Sequence, residues 1–362
     1  MTKLKIYGAG SIGNHLANAA RSKDWEVTIC DVDQAALDRT RNDIYPARYG
    51  AWDSEIKLCL NDQAPRGGYD LIFIGTPPDS HMSLALDAIS EKPRAVLVEK
   101  PFATPDLAGC SELWSLASEA GVKLFVGYDH VVSKSSNDVS ERLKKNSDQL
   151  KTLTVSFREH WQGIFNAHPW LSGPSDTYLG FWKRGGGALG EHSHAVNLWQ
   201  HFAHTAGKGR VTEVTATLEY ITEGGAEYDS IAVLGLKTEG GLVGTVVQDV
   251  VTLPVQKKAE IQLTESSIEW RCQPSPYADF VTVKSTQGDN VTEYTKRRPD
   301  DFIQELDHLE LVLDQNIPSP ISGERGLDTM LVIAAGHMSA CTGRKVLIDY
   351  SKGYTEAALT AV

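Results

Sequence analysis

Apolar residues come first in short dense runs and later in alternation. Leu4–Tyr7, Val27–Cys30, Leu71–Ile74, Ala95–Val98 and Lys123–Val126 are the dense runs, broken only by Lys5, Thr28 and Lys123, and each predicts a buried strand. Between them, Asn14–Ser22, Gln34–Arg41, His81–Ser90 and Pro105–Ala120 repeat their apolar positions with a helical period. Strand alternating with helix specifies a parallel sheet covered on both faces by helices. Past Asp129 the pattern changes. Thr152–Phe157, Val211–Tyr220, Ser230–Lys237, Gly244–Val251, Ala259–Leu263 and Ser267–Arg271 are β-rich, often alternating, with Gly or Pro between them. They predict a largely antiparallel sheet, interrupted by a helix over Glu191–His204. Asp301–Asp314, with Phe302, Leu306, Leu309 and Leu313 on one face, and Gly326–Ala340 predict two closing helices.

A length of 362 residues suits two cores, divided where the pattern changes: 1–128 and 129–362. A net charge of −12 argues against a nucleic-acid or anionic-membrane surface, which needs clustered cations. Five cysteines, odd in number and scattered without a CxxC pair, point away from disulfides and a zinc knot. They fit a reducing cytoplasm. Residues 1–20 lack the basic-then-apolar layout of a signal peptide. No apolar run reaches membrane-spanning length.

The first strand leads into Gly8-Ala9-Gly10-Ser11-Ile12-Gly13. In such a run the first glycine allows the tight turn and the second lets the backbone approach a pyrophosphate. The third lets the following helix sit on the sheet, its free N–H groups holding the phosphates. The second strand closes on Asp31, placed to accept hydrogen bonds from ribose hydroxyls and to repel a 2′-phosphate. No Arg or Lys follows in Val32-Asp33-Gln34, so NAD is favoured over NADP. Asp33 is read as a helix N-cap. Thr76-Pro77-Pro78 at the next strand end predicts a rigid wall beside the cofactor. His81 stands nearby as a capping or packing residue at the edge of that site. Glu99-Lys100-Pro101 follows a further strand at the sheet's carboxyl edge, which makes Lys100 a candidate acid/base.

The second half supplies Gly185-Gly186-Gly187-Ala188-Leu189-Gly190-Glu191-His192-Ser193-His194-Ala195-Val196-Asn197. Glu191 and His194, spaced i, i+3, are expected on one helix face. His192 lies about 100° round and is expected to matter less. Residues 157–184 are dense in Arg158, His160, Trp161, His168, Trp170, Trp182, Lys183 and Arg184. Aromatic faces stack on the C–H faces of a sugar, and Arg158, Trp161 and Trp182 are the first candidates. No metal is expected. Glu191 with His192 and His194, and the pair Glu305 and His308, lack the helical-bundle setting in which such pairs bind iron.

Taken together, the glycine fingerprint, Thr76-Pro77-Pro78, Glu99-Lys100-Pro101, Gly127-Tyr128 and the triple-glycine-to-histidine segment resemble the glucose–fructose oxidoreductase, inositol dehydrogenase and rhizopine catabolism (Gfo/Idh/MocA) family. The resemblance implies a Rossmann domain followed by an α+β domain with a large, mainly antiparallel open sheet, whose exposed face makes homo-oligomers. It implies an NAD-dependent oxidoreductase acting on a ring carbinol of a sugar, nucleotide-sugar or cyclitol. Lys100 would then be the acid/base, assisted by His194 and Glu191, and the Lys100–Pro101 bond would be cis. Tyr128 and Asn197 join the expected substrate contacts. Two departures stand out. The family's Asp precedes its catalytic His by a full helical turn, whereas here position 195 is Ala and the pair is Glu191 and His194. That version looks like a subgroup linked to surface-sugar metabolism. Tyr128-Asp129-His130 also departs from the usual Asn-Arg-type continuation. A redox-neutral lyase or hydrolase with tightly held NAD, and a non-catalytic NAD sensor, remain the alternative readings.

Overall fold

The computed structural model describes residues 1–166, 170–275, 277–297 and 300–362, so His168 lies outside the described residues. The first sheet contains β1 (Lys3–Tyr7), β2 (Glu26–Asp31), β3 (Lys57–Leu60), β4 (Leu71–Ile74), β5 (Ala95–Val98) and β6 (Lys123–Val126). Its order is β3-β2-β1-β4-β5-β6, and every pairing is parallel. The chain reverses its direction of travel across the sheet between β1 and β4. That switch point opens a crevice at the strands' carboxyl ends. Five of the six strands coincide with the apolar runs; β3, with one exposed and three half-buried residues, has no such run.

The helices here are α1 (Ser11–Arg21), α2 (Gln34–Arg39), α3 (Tyr45–Tyr49), α4 (His81–Ser90) and α5 (Cys110–Ala120). Two depart from the sequence pattern. The helix expected over Gln34–Arg41 stops at Arg39, and Thr40–Ile44 continue as a π-turn. The helix expected from Pro105 starts only at Cys110, because Leu107 and Gly109 take positive φ angles.

Beyond β6 come α6 (Lys134–Lys145), β7 (Thr152–Arg158), α7 (Trp161–Asn166), α8 (Gly187–Glu191) and α9 (His194–Thr205). The strands β8 (Val211–Glu223), β9 (Ala226–Thr238), β10 (Val243–Asp249), β11 (Gln256–Gln262), β12 (Ser266–Ser275), β13 (Ala278–Ser285) and β14 (Gly288–Thr295) follow. The chain closes with α10 (Asp300–Gln315), α11 (Gly323–Thr342), β15 (Val346–Ile348) and β16 (Leu359–Ala361). Ten strands form one sheet in the order β14-β13-β12-β11-β7-β10-β9-β8-β15-β16. It is antiparallel except for β7 against β10, as the β-rich alternation predicted.

The helix expected over Glu191–His204 is two helices. α8 ends at Glu191, His192 and Ser193 make a turn, and α9 begins at His194. One continuous core nevertheless joins both halves, with Phe73, Phe125, Trp199, Trp270 and Leu309 among its members.

Candidate active site

At the carboxyl edge of β1 the glycines do separate jobs. A Cβ on Gly13 would lie 2.0 Å from the Gly8 carbonyl, so only glycine lets α1 start there. Gly8 takes a φ of +107° and presses on the Gly75 backbone. Gly10, by contrast, has nothing within 4 Å of where a Cβ would stand, which leaves an open approach to the first turn of α1. No side chain caps that helix, so its leading N–H groups remain available to an anion. Asn14 Nδ2 fixes the turn by donating to the Ala9 and Gly10 carbonyls at 3.0 and 2.7 Å. Asp31 Oδ2 accepts from Ala9 N–H at 2.7 Å and Oδ1 from Asp33 N–H at 2.9 Å. Asp33 is the N-cap of α2, accepting from Ala35 N–H. Ser11 accepts from Arg48 Nη1 at 2.9 Å, and Ile12 packs against the core. An open glycine, an uncapped helix start and a carboxylate closing β2 fit a bound dinucleotide.

The loops after β4 and β5 form the next wall. His81 is fully buried and joins them: Nε2 faces the Thr76 carbonyl at 2.7 Å and Nδ1 the Pro101 carbonyl at 3.0 Å. Burial pushes its pKa down. His81 therefore braces the Thr76-Pro77-Pro78 wall from behind. Lys100–Pro101 is cis. The triple glycine meets both loops directly, since a Cβ on Gly185 would stand 2.8 Å from Pro78 and 3.2 Å from Pro101. This contact delivers α8 to the lysine. Lys100 Nζ donates to the Glu191 carbonyl at 2.9 Å and lies 3.1 Å from Glu191 Oε2. Glu99, nearly buried, accepts from Lys100 N–H and fills the space that a side chain at position 127 would need.

Glu191 thus faces Lys100, and His194 faces a different acid. Its Nδ1 lies 3.8 Å from Asp129 Oδ1, while His130 Nδ1 lies 2.8 Å from the same oxygen. The His130 and His194 rings stack, with centres 4.5 Å apart and planes 19° apart. Tyr128 meets His194 edge-on at 5.4 Å, and Phe157 and Trp270 continue the stack behind. Burial, then His130, push the His194 pKa well below its ordinary value. Among the described residues, these three form the single His/Asp group whose donor atoms all lie within 4.8 Å of one another.

His192, expected to be a bystander, is buried, and burial pulls its pKa to about 4. The remaining candidates are scattered. Arg158 is tied to Asp249 at 2.6 Å. Trp161 is buried in a small cluster with Leu179, Ala188 and Tyr228. Trp182 stacks on His337 at 4.6 Å, its Nε1 donating to Glu227. Asn197 points to α11, donating to Thr329 Oγ1 at 3.1 Å. Sequence reasoning gave Asp129 and His130 no role; their only signal was their departure from the family's usual continuation.

The sequence profile of the family described as "Oxidoreductase family, NAD-binding Rossmann fold" (GFO_IDH_MocA) matches residues 3–128. No curated protein matches the chain by sequence. Solved structures share the whole fold. An oxidoreductase from Agrobacterium radiobacter, in complex with NAD+, L-tartaric acid and magnesium, is 20% identical with a TM-score of 0.74, covering 96% of this chain and 98% of its own. The WlbA dehydrogenase from Bordetella pertussis, in complex with NADH and UDP-GlcNAcA, is 21% identical with a TM-score of 0.71 and the same coverage. An aldose–aldose oxidoreductase from Caulobacter crescentus, complexed with glycerol, is 16% identical with a TM-score of 0.75, covering 96% of this chain and 99% of its own.

Proposed function

We propose, from the premise that by residues 3–128 the chain belongs to the Gfo/Idh/MocA oxidoreductases with their NAD-binding Rossmann fold, that it is an NAD-dependent dehydrogenase of a sugar, nucleotide-sugar or cyclitol. Residues 1–128 hold the cofactor, and 129–362 bring the substrate to it. The observation that carries this reading is the clasp on Lys100 at the sheet's carboxyl edge, its Nζ 2.9 Å from the Glu191 backbone carbonyl and 3.1 Å from Glu191 Oε2. Bound NAD supplies the acceptor for the hydride that leaves the carbinol carbon. Lys100 Nζ takes the hydroxyl proton in that direction and returns it in the reverse, with Glu191 next in line to receive it. His194 handles the hydroxyl from the other side. The buried Glu99 and the His81 brace keep the lysine's loop in place. The UDP-GlcNAcA bound by the Bordetella dehydrogenase and the aldose–aldose activity named for the Caulobacter oxidoreductase support a carbohydrate as substrate class.

Among the described residues no helix is long and apolar enough to cross a membrane. The outward face of the second sheet exposes Val233 and Val243, and there a second copy of the chain would pack.

The test is NADH formation from NAD over a panel of sugars, nucleotide-sugars and cyclitols. On the substrate found, Lys100→Met should keep NAD binding yet slow turnover by about 10²-fold or more. Near-normal turnover in Lys100→Met would sink the assignment.

A further inference from the structure

We infer that Cys30 and Cys59 form a modification site: a thiol pair that a small-molecule disulfide oxidises to an internal disulfide, and whose closed form holds NAD less tightly. The modification stands on the geometry of the first sheet alone. Its effect on NAD rests on the dehydrogenase reading above.

The two cysteines are 29 positions apart in sequence, and β2 and β3 bring them together as register partners in a parallel pair. Their Sγ atoms lie 3.4 Å apart. Paired strands run about 4.8 Å apart, within the Cα separation of about 4.4–6.8 Å that a disulfide accepts. Closing the link therefore asks the side chains to turn and the strands to shift slightly. Access follows from the strand order. β3 is the outermost strand of its sheet, and Cys59 is half-buried, whereas Cys30 beside it is fully buried. An oxidant meets Cys59 first. Burial, then Cys59 itself, push the Cys30 thiol up, and the Lys5 ammonium on the same face of β1 acts the other way. Cys30 is therefore the second to react.

The chemistry is thiol–disulfide exchange. The Cys59 thiolate attacks one sulfur of the external disulfide, whose S–S bond breaks and releases one small thiol. Cys30 then attacks Cys59 Sγ, the mixed bond breaks, and the second small thiol leaves. Two hydrogens and two electrons pass from the pair to the external disulfide, so the exchange balances without another reagent. In a reducing compartment the pair rests as thiols. The link would be felt at the cofactor. The Cys30 carbonyl accepts from the Gly8 N–H at 2.8 Å, and the next residue, Asp31, accepts from Ala9 N–H. Drawing Cys30 toward β3 pulls on the glycine turn and the candidate ribose carboxylate together.

The experiment places the full unmutated chain, Cys59→Ser and Cys59→Ala in buffers of oxidised and reduced glutathione. Non-reducing peptide mapping by mass spectrometry should find the Cys30 and Cys59 peptides joined in the unmutated protein, and dithiothreitol should part them. Calorimetry should find NAD bound about fivefold or more weakly by the joined form, the low end of typical coupling between sites. Linkage then requires saturating NAD to shift the pair toward thiols by the same factor. In both variants, NAD affinity should be indifferent to the oxidant. Two thiols that stay unjoined, or a glutathione adduct on Cys59 that Cys30 never displaces, overturn the modification site. A joined pair with unaltered NAD affinity overturns the coupling. A chain that joins its thiols yet binds no NAD in its reduced form supports the site and counts against the dehydrogenase reading instead.

Discussion

Asp31 serves the fold and is proposed to serve the cofactor as well. Its two oxygens accept from Ala9 N–H and Asp33 N–H, so it ties the glycine turn to the start of α2. A carboxylate has about four lone-pair sites, leaving capacity for ribose hydroxyls. Asp31→Ala should therefore weaken NAD binding, by losing both the ribose contacts and the hydrogen bond to Ala9. It should weaken NADP binding less, because the repulsion toward a 2′-phosphate goes with it. Calorimetry with both cofactors checks this, and an NADP preference in the unmutated protein would contradict the role given to Asp31. The residues proposed for the cofactor stood out because glycine, acid and lysine each follow a strand end within a few positions. The imidazole cluster was not. Asp129 and His194 are 65 positions apart, and no spacing rule reaches from the loop after β6 to the start of α9. Asn197 was given to the substrate by the family resemblance, and in the structure its Nδ2 donates to Thr329 between α9 and α11.

At the scale of elements, strands buried on both faces were legible and the rest were less so. β14 is exposed along most of its length, and β15 and β16 have three residues each, too few to show a period. α6 hid because its buried face is lined by Ser135, Ser136 and Ser140, with only Val139 and Leu143 apolar. The break between α8 and α9 is likewise invisible in the pattern, since its cause is tertiary. Gly186 and Gly190 sit so close to the Tyr178 and Gly185 carbonyls that a Cβ would lie 2.2 and 2.1 Å away, locking α8 into a tight pocket. Asp229 completes that pocket, its Oδ2 accepting from Leu189 N–H at 2.7 Å. Burial raises the Asp229 pKa to about 8, against 3.8 ordinarily. The native state then binds a proton that the unfolded chain releases. Its stability contribution is fully present below about pH 4 and falls as pH rises through about 8. Asp229→Asn removes that loss while keeping an acceptor for Leu189. Relative to the unmutated protein it should gain about 1 kcal/mol or more between pH 5 and pH 8. Urea unfolding at the two pH values reads the difference, and parallel curves would show that Asp229 does not titrate in this window.

For the whole molecule, the division at residue 128 describes the sheets better than it describes the helices. α10 follows β14 of the second sheet in sequence, yet it packs on α1 beside the first. Phe302 is buried there, stacked on His15 with ring centres 4.9 Å apart. Lys23 pairs with Asp307 and Glu310, Arg94 with Asp314, and Lys123 Nζ donates to Asn316 beyond the end of α10. Most of these ion pairs are at the surface and contribute little singly, so the buried ring carries the attachment. α11 then returns beneath β6, where the Val126 N–H donates to the Ile321 carbonyl. The closing helices therefore clamp residues 1–128 to the rest of the chain, which fixes the Lys100 loop against α8 and the start of α9 while the sheets remain separate. Two consequences can be measured. Heating should unfold the chain in one transition that NAD shifts as a whole, because a ligand of one half stabilises everything that unfolds with it. Phe302→Ala should cost about 3–5 kcal/mol, the usual loss for a buried ring. If α10 is the clamp, that variant should also split the melting curve, and NAD should then raise only the part belonging to residues 1–128. A single transition that falls intact, still moved as a whole by NAD, would mean that α11 and the shared core join the halves without α10.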